Sequence, residues 1–358
     1  MSTPLALFNG SYLGQQPTGI GVVARDLVAA LDPERVPLLD PLGGDRPGSV
    51  PIRADLSPAH GRRGHLARLL WTQNQVPRLL RATGAPLLLS PLPEAPLLRG
   101  VRSVVLAHDL LPLRHPQPGP LLAYHLAYVP LVLHRAARVL CNSEATAREV
   151  RNRLGVPTRR LVPIRLGFDP GLLRPLGLPR EPFFLALGRH DPHKNLARLL
   201  QAFAALRDPG GETRLLLVGP HDARTTPRLQ ALATELGIAP RCAWIPWVSD
   251  GERLELLNRC RALLLVSLWE GFGLPALEAM ACGTPVIAAR AGALPEVVGD
   301  AALLVDPRDP EAIARAMVRL EREPGLAEAL GKAGRQRSSG FHWDRTAADV
   351  MAVLEELA

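Results

Sequence analysis

Lysine is nearly absent from this chain. Lys194 and Lys332 are the only two among 358 residues, although Lys and Arg together number 42. Arginine therefore carries almost all of the positive charge. Aromatic residues are also scarce at 4%, while proline reaches 36 residues, a balance that reads as a compositional bias of the whole source genome. The net charge of +8 excludes an acidic, disordered chain. It is read first as a solvated surface, and it is compatible with an anionic partner such as a nucleotide or a membrane surface. Nucleic-acid binding has only that charge behind it and is not expected. Long apolar runs are missing: none approaches the roughly 20 residues that span a bilayer. The N-terminus has no basic stretch followed by an apolar one, so no secretory leader is expected. Four cysteines, Cys141, Cys242, Cys260 and Cys282, never fall at C-x-x-C spacing. Each also has an apolar residue within two positions, so reduced, buried thiols are expected and not a disulfide framework or a zinc site. The expectation is a cytoplasmic protein, at most peripheral at the inner face of an anionic plasma membrane.

What the chain does have is apolar residues, 47% of it, and length enough for two domains of the usual ~100–200 residues. Short apolar runs alternate with stretches of helical spacing. In the first half, strands are expected at Leu5–Asn9, Pro86–Ser90, Ser103–Ala107, Arg138–Cys141 and Leu161–Ile164. Helices are expected at Val22–Leu31, at Tyr124–Ala136 and after Ser143, a good N-cap. The stretch from Gly167 to Pro182 is dense in Pro and Gly and is read as a linker. The rhythm restarts with strands at Phe183–Leu187, Arg214–Val218, Ala243–Ile245, Ala262–Val266 and Pro285–Ala289. The reading is an α/β protein with residues 1–170 as one Rossmann-like domain and 171–182 as linker. Residues 183–340 form a second such domain, and 341–358 a last helical segment. Alternating β and α elements imply parallel sheets, whose ligands sit beyond the carboxyl ends of the strands.

The most informative stretch is Ser267–Ala289, SLWEGFGLPALEAMACGTPVIAA. A strand leads into Glu270, Gly271-Phe272-Gly273 forms a loop, and Leu274-Pro275 opens a helix, with Pro275 suited to the first turn. The two glycines let backbone approach a ligand closely. The N–H groups at the helix start form an anion site, for which a diphosphate is a natural occupant. Glu270 and Glu278 flank that site. A carboxylate cannot pair with a phosphate, but it accepts hydrogen bonds from hydroxyls. A ligand with hydroxyls on both sides of a diphosphate fits, and a nucleotide sugar has that layout.

This setting, EGFGLPALEAMACGTPVIA, resembles the E-x7-E motif of retaining glycosyltransferases of family four, which have the GT-B fold. The resemblance extends over nearly the whole chain. It takes in the loop with Gly19 and Gly21, the strand end His108-Asp109, the segment Gly188-Arg189 to Lys194-Asn195, and AGALPEVVGDAALLVDP at Ala291–Pro307. It implies two facing domains with a donor cleft between them. Two cations at a strand-to-helix junction suit a diphosphate leaving group, and the resemblance assigns Arg189 and Lys194 to the donor phosphates. Lys194 stands where composition alone would have put arginine. The Gly19–Gly21 loop is implied to approach the diphosphate and acceptor, and His108 to lie by the transferred sugar, with Asp109 orienting the imidazole or touching substrate. Glu270 is implied to hold sugar hydroxyls, and Glu278 the ribose or the donor's far side. The base is expected against Val218-Gly219 and Trp247-Val248; Trp247 either stacks on it or belongs to the core. The last helix is implied to pack back on the first domain.

No D-x-D triplet occurs, the pattern with which glycosyltransferases of the other main fold hold a divalent metal. Metal-independent transfer without a cofactor is therefore expected. The mannosyltransferase-like character of the first half makes GDP-mannose the first donor and UDP-sugars the second. The acceptor is then a hydroxyl of a glycan, of a lipid-linked acceptor or of a small polar metabolite, as in surface-polysaccharide or lipopolysaccharide assembly. Four other readings fit the sequence less well. An epimerase fits the E-x7-E setting poorly, and a phosphorylase needs a lysine for pyridoxal phosphate. An NAD-dependent oxidoreductase wants G-x-G-x-x-G, which Gly19–Ala24 only approximates. A catalytically inactive nucleotide-binding partner subunit would be expected to have lost Arg189, Lys194, Glu270 or Glu278, all of which are present.

Overall fold

Runs of leucine and valine with no polar interruption cannot face water on either side, and in this chain they are the strands of two parallel sheets. The computed structural model describes residues 3–14, 19–98, 100–206 and 211–358. The first sheet holds β1 (Ala6–Asn9), β2 (Leu38–Asp40), β3 (Val50–Pro51), β4 (Leu87–Ser90), β5 (Arg102–Ala107), β6 (Arg138–Cys141) and β7 (Leu161–Pro163). Their order is β3-β2-β1-β4-β5-β6-β7, and every pairing is parallel. Leu87, Leu88 and Leu89 in its centre are wholly shielded from solvent.

The second sheet holds β8 (Phe183–Leu187), β9 (Arg214–Val218), β10 (Cys242–Ile245), β11 (Ala262–Leu265), β12 (Val286–Ala289) and β13 (Leu303–Val305), in the order β10-β9-β8-β11-β12-β13. Both orders have the doubly wound form, in which the chain reverses direction of travel between two central strands. That reversal opens a crevice at the carboxyl ends of β1 and β4 in one sheet and of β8 and β11 in the other. Each sheet has its own core. Phe184, Phe203, Leu217 and Met317 pack in the second, and Leu7, Leu88, Val105 and Val139 in the first.

The chain divides into two compact units, Met1–Gly167 with His342–Ala358, and Phe168–Phe341. Residues 171–182, expected as a linker, count with the second unit. Leu173 is buried there, the Leu176 N–H donates to Asn258 Oδ1 (2.7 Å), and Arg180 donates to the carbonyls of Leu257, Asn258, Cys260 and Gly283. Proline and glycine set the path of that segment without loosening it. The final helix Trp343–Leu357 packs against helix Gly19–Ala30 of its own unit, and the Thr346 hydroxyl donates to Arg165 O (2.6 Å).

Most helix ends fall within one to three residues of expectation. Ser143 caps helix Glu144–Leu154 through Oγ, which accepts from Thr146 N–H at 3.0 Å. The loop read around Gly19 and Gly21 is a correction: both lie in the first turn of helix Gly19–Ala30. Pro17 and Thr18 of that loop lie outside the described residues. The short strands β2, β3 and β13 and helix Gly61–Asn74 had no visible signal. The strands are two or three residues long, and the helix carries arginines where an apolar stripe would be sought. No helix among the described residues is long and apolar enough to cross a membrane.

Candidate functional site

The crevice between β8 and β11 gathers the motif residues of the second unit. After β8 the chain runs through Gly188, Arg189 and a single 3-10 turn, Pro192–Lys194, into helix Leu196–Ala204. After β11 it runs through Ser267 to Glu270, then to helix Leu274–Ala281. Three hydrogen bonds tie the two segments. Leu268 N–H donates to His193 O (2.8 Å), Asn195 Nδ2 donates to Val266 O (3.0 Å), and Lys194 Nζ donates to Glu270 Oε1 (2.7 Å). Asn195 is the one non-glycine residue with positive φ among the described residues (62°), a conformation asparagine tolerates better than most side chains. Its Nδ2 also reaches Pro307 O (2.6 Å), so this residue stitches three loops together.

Glu270 is buried and accepts from both Lys194 and the Ser267 hydroxyl (2.6 Å). Burial pushes its carboxyl up, but the Lys194 ammonium and the two hydrogen bonds outweigh that and hold it below its ordinary value. Its backbone is also fixed: Ala293 N–H donates to Glu270 O (3.0 Å). Gly292 lies so close that a β-carbon there would sit 2.4 Å from that oxygen. The stretch after β12 is therefore the floor beneath Glu270.

Gly273 takes a left-handed conformation (φ 103°) at the start of helix Leu274–Ala281, and no side chain caps that helix. Pro275 has no N–H and Ala276 N–H donates to Gly273 O (2.9 Å), so an anion at this helix start meets the N–H groups that precede Pro275. Gly271, Phe272 and Gly273 are buried, and the Phe272 ring packs edge-on against Phe341 (6.1 Å). Phe272 thus offers a ligand its backbone, not its ring. Glu278, one turn further on, receives Arg253 Nη1 at 2.6 Å. Arg189 is exposed, its Nε 3.3 Å from Asp191 Oδ2.

At the ends of β9 and β10, Val218 is buried. Gly219 lies against Gly188, so that a β-carbon on it would overlap Gly188 O at 2.1 Å. Trp247 is not a core residue: 71% of its surface is exposed, just before the capping box of Ser249 and Glu252 that opens helix Asp250–Arg259. Val248 beside it is half-buried. His190 is buried, stacked on His221 (5.1 Å) and edge-on to Trp244 (5.4 Å).

In the first unit, Asn9 Nδ2 and Ser90 Oγ lie 3.4 Å apart across the β1–β4 crevice, and His108 sits at the end of β5. Its Nε2 is 2.8 Å from Pro91 O. A carbonyl only accepts, so Nε2 carries the proton and Nδ1 keeps its lone pair. Burial depresses its pKa to about 4, partly opposed by that hydrogen bond, so the imidazole is neutral at pH 7. Asp109 accepts from Leu111 N–H (2.9 Å) and shapes the turn there, while Pro91 O holds His108. A second buried network, unseen in the sequence, joins Glu94 to Arg68 by two bonds of 2.7 and 2.9 Å and to Tyr124 (3.3 Å).

Sequence reasoning missed Ser267, Arg253 and Gly292 around the two glutamates. Gly292 had a signal, since it lies in the Ala291–Pro307 stretch already singled out. Arg253 had none, because its partner is 25 positions away.

Comparison with known proteins bears on this geometry. Residues 174–337 match the family model "Glycosyl transferases group 1", and residues 17–172 match "Glycosyltransferase Family 4". An MMP alpha-(1->4)-mannosyltransferase of Mycolicibacterium hassiacum is 35% identical over 231 residues, 63% of this chain and 55% of that protein. A D-inositol 3-phosphate glycosyltransferase of Actinosynnema mirum is 35% identical over 240 residues, 62% of this chain and 58% of that protein. The chain thus matches little more than half the length of these relatives. Among solved structures, a sucrose-phosphate synthase of Thermosynechococcus elongatus superposes with TM-score 0.77 at 24% identity, covering 99% of each chain. HepE of Anabaena, solved with UDP and glucose, superposes with TM-score 0.76 at 21% identity, covering 98% of this chain and 99% of that one. The fold is α/β of the GT-B type. Each half of the chain thus matches a glycosyltransferase family model.

Proposed function

We propose that this protein transfers a hexose from a nucleoside diphosphate sugar to a hydroxyl of a glycan or lipid-linked acceptor, with retention at the anomeric carbon. The observation that carries this reading is the Lys194–Glu270 contact at the strand crossover of the second sheet, beside an uncapped helix start. The nucleotide half of the donor would lie over Val218, Gly219, Trp247 and Val248, with the ribose at Glu278. The diphosphate would meet Arg189, Lys194 and the N–H groups from Gly271 to Leu274. Fixed donors and cations of this kind stabilise the leaving diphosphate most when its charge is greatest, at the transition state. A divalent ion is then not required. Glu270, held ionised, accepts from sugar hydroxyls and is not the nucleophile.

In this scheme the anomeric C–O bond to the diphosphate breaks as the acceptor oxygen bonds to the same face of that carbon. The acceptor's proton passes to the departing phosphate oxygen. His108 contributes a neutral imidazole whose Nδ1 accepts a hydrogen bond from a sugar or acceptor hydroxyl. The mannosyltransferase relative favours GDP-mannose as donor, and the UDP complexes of HepE favour a UDP-sugar as the alternative. A cytoplasmic place, with peripheral contact to anionic membrane through the arginine-rich surface, is part of the same proposal.

The test is a thermal-shift titration with UDP, GDP and ADP and their sugar conjugates, with NAD as control and chelator present. It is followed by NMR of the anomeric proton in the product. Stabilisation by one nucleoside diphosphate and its sugar, and a product with the donor's anomeric configuration, are expected. Stabilisation by NAD alone, or an inverted product, would overturn the reading.

A further inference from the structure

Glu278 does not stand alone at its position on helix Leu274–Ala281. Arg253, from helix Asp250–Arg259, places Nη1 2.6 Å from Glu278 Oε1 and Nη2 3.0 Å from Asp250 Oδ1. Its Nε is buried with no hydrogen-bond partner. The helix that carries it starts at Ser249, in a capping box where Ser249 Oγ accepts from Glu252 N–H (3.2 Å) and Glu252 Oε2 accepts from Ser249 N–H (2.7 Å). Trp247 and Val248 directly precede that cap. One guanidinium therefore links the start of the helix behind the Trp247 loop to the carboxylate of Glu278.

We infer that Arg253 is a positioning residue for the nucleoside. It holds the Glu278 carboxylate in one orientation, so that Glu278 reads the ribose hydroxyls, and it ties that carboxylate to the loop carrying Trp247. The inference rests on the reading of Glu278 as the ribose group. Its physical basis is charge balance and geometry. A diphosphate brings negative charge to a place that already holds two buried carboxylates, Glu270 and Glu278. Lys194 neutralises the first and Arg253 the second. Lys194 is the one the donor phosphates would recruit, whereas Arg253 is anchored at both ends, by Asp250 and Glu278. A guanidinium fixes the plane of a carboxylate in a way an ammonium does not. An oriented acceptor discriminates strongly against a ligand lacking the hydroxyl it expects, because the unmet carboxylate is then left desolvated.

Isothermal titration calorimetry on the full chain tests this. UDP, GDP and ADP are each compared with the 2′-deoxy and 3′-deoxy forms, for the native protein and for Arg253→Leu, Arg253→Lys and Glu278→Gln. The native protein is expected to prefer a ribonucleotide by about tenfold or more over the deoxy form that lacks the hydroxyl read by Glu278. Arg253→Leu is expected to reduce that ratio to about twofold, as Glu278→Gln does, and the double variant to be no worse than Glu278→Gln alone. Arg253→Lys keeps the charge but not the fork and is expected to restore affinity more than discrimination. When the donor concentration is varied, the Arg253 variants are expected to raise KM for the donor more than they lower kcat.

A merely structural salt bridge would lower the melting temperature and weaken ribo- and deoxynucleotides equally, leaving the ratio intact. That result, with Glu278→Gln collapsing the ratio, overturns the role of Arg253 alone. A ratio unchanged in Glu278→Gln overturns the ribose reading of Glu278 and the inference with it. If Arg253→Leu does not fold, the comparison of Arg253→Lys with the native protein carries the same two outcomes.

Discussion

Lys194 Nζ and Glu270 Oε1 lie 2.7 Å apart, joining the loop after β8 to the loop after β11. This is an ion pair between the lysine that arginine-rich composition did not predict and the first glutamate of the E-x7-E string. Both groups keep little exposure, 17% and 11% of their side-chain surfaces. Without a donor the pair neutralises itself. With the proposed donor bound, the ammonium would have a second anion to serve, while the carboxylate has Ser267 as a further partner.

Lys194→Ala is expected to act twice. It leaves Glu270 as a buried carboxylate without its cation, which costs about 3 kcal/mol of stability, the low end for breaking a buried pair. It also removes a cation from the leaving diphosphate, for which a fall in kcat of roughly 10²–10³-fold is expected. Lys194→Arg keeps the charge and is expected to recover most of the stability and only part of kcat. Melting curves and donor-consumption assays on the two variants separate the effects. If Lys194→Ala melts like the native protein, the pair contributes nothing to the fold.

The imidazole of His108 gives a pH prediction with a definite sign. Its pKa falls from 6.5 to about 4 on folding, because burial disfavours the charged ring. Between about pH 6.5 and 4 the unfolded chain binds a proton that the folded chain refuses, so the stability this residue contributes is complete above that window and is lost as pH falls through it. At 1.36 kcal/mol per pKa unit the whole effect is about 3 kcal/mol. His108→Gln, which retains an N–H for Pro91 O, is expected to flatten the dependence of urea midpoints on pH across the window. An unchanged slope would mean that the native ring is protonated as easily as the unfolded one.

Much of this was legible beforehand, and the reason differs between regions. Strands such as Arg138–Cys141 and Phe183–Leu187 are found at their expected bounds, because a central parallel strand buried on both faces leaves an unbroken apolar run. The Glu270–Glu278 string was legible because glycine, proline and carboxylate requirements fall together within nine residues. What could not be read was anything set by long-range packing. Arg253 meets Glu278 only because two helices lie side by side, and Pro91 meets His108 only because β4 and β5 pair. The Gly19–Gly21 segment was misread for another reason. Glycine in a first helical turn carries no side-chain signature, so its sequence looks like a loop. Residues 171–182 misled in the same way, since Pro and Gly mark a constrained path as readily as a free one.

Trp247 offers a clean separation of binding from folding. With 71% of its surface in solvent it contributes little packing, so Trp247→Ala is expected to change stability by no more than about 0.5 kcal/mol. A base stacked on an exposed indole gains about 1–3 kcal/mol. Nucleoside diphosphate affinity is therefore expected to fall by about ten- to a hundredfold, equally for ribo- and deoxy forms. Titration calorimetry with UDP and GDP reads this directly, and an unchanged affinity would move the base elsewhere along the β9–β10 edge.

Gly292 isolates the backbone beneath Glu270. Its φ of 58° is one that other residues enter only at a cost, and an added β-carbon would lie 2.4 Å from Glu270 O and 2.8 Å from Glu270 N. Those atoms are backbone and cannot rotate away, so Gly292→Ala has to displace the Glu270 segment or itself. Strain of this kind costs about 1–3 kcal/mol. Because Ala293 N–H bonds Glu270 O, the displacement reaches the carboxylate without touching its side-chain partners. The expected outcome is a lowered melting temperature together with a fall in kcat larger than the change in donor affinity, since the proposed function assigns Glu270 to the sugar and Glu278 to the nucleoside. A variant that loses stability yet turns over at the native rate would show that the Glu270 position tolerates movement, and that its partners Lys194 and Ser267 are sufficient to hold the carboxylate.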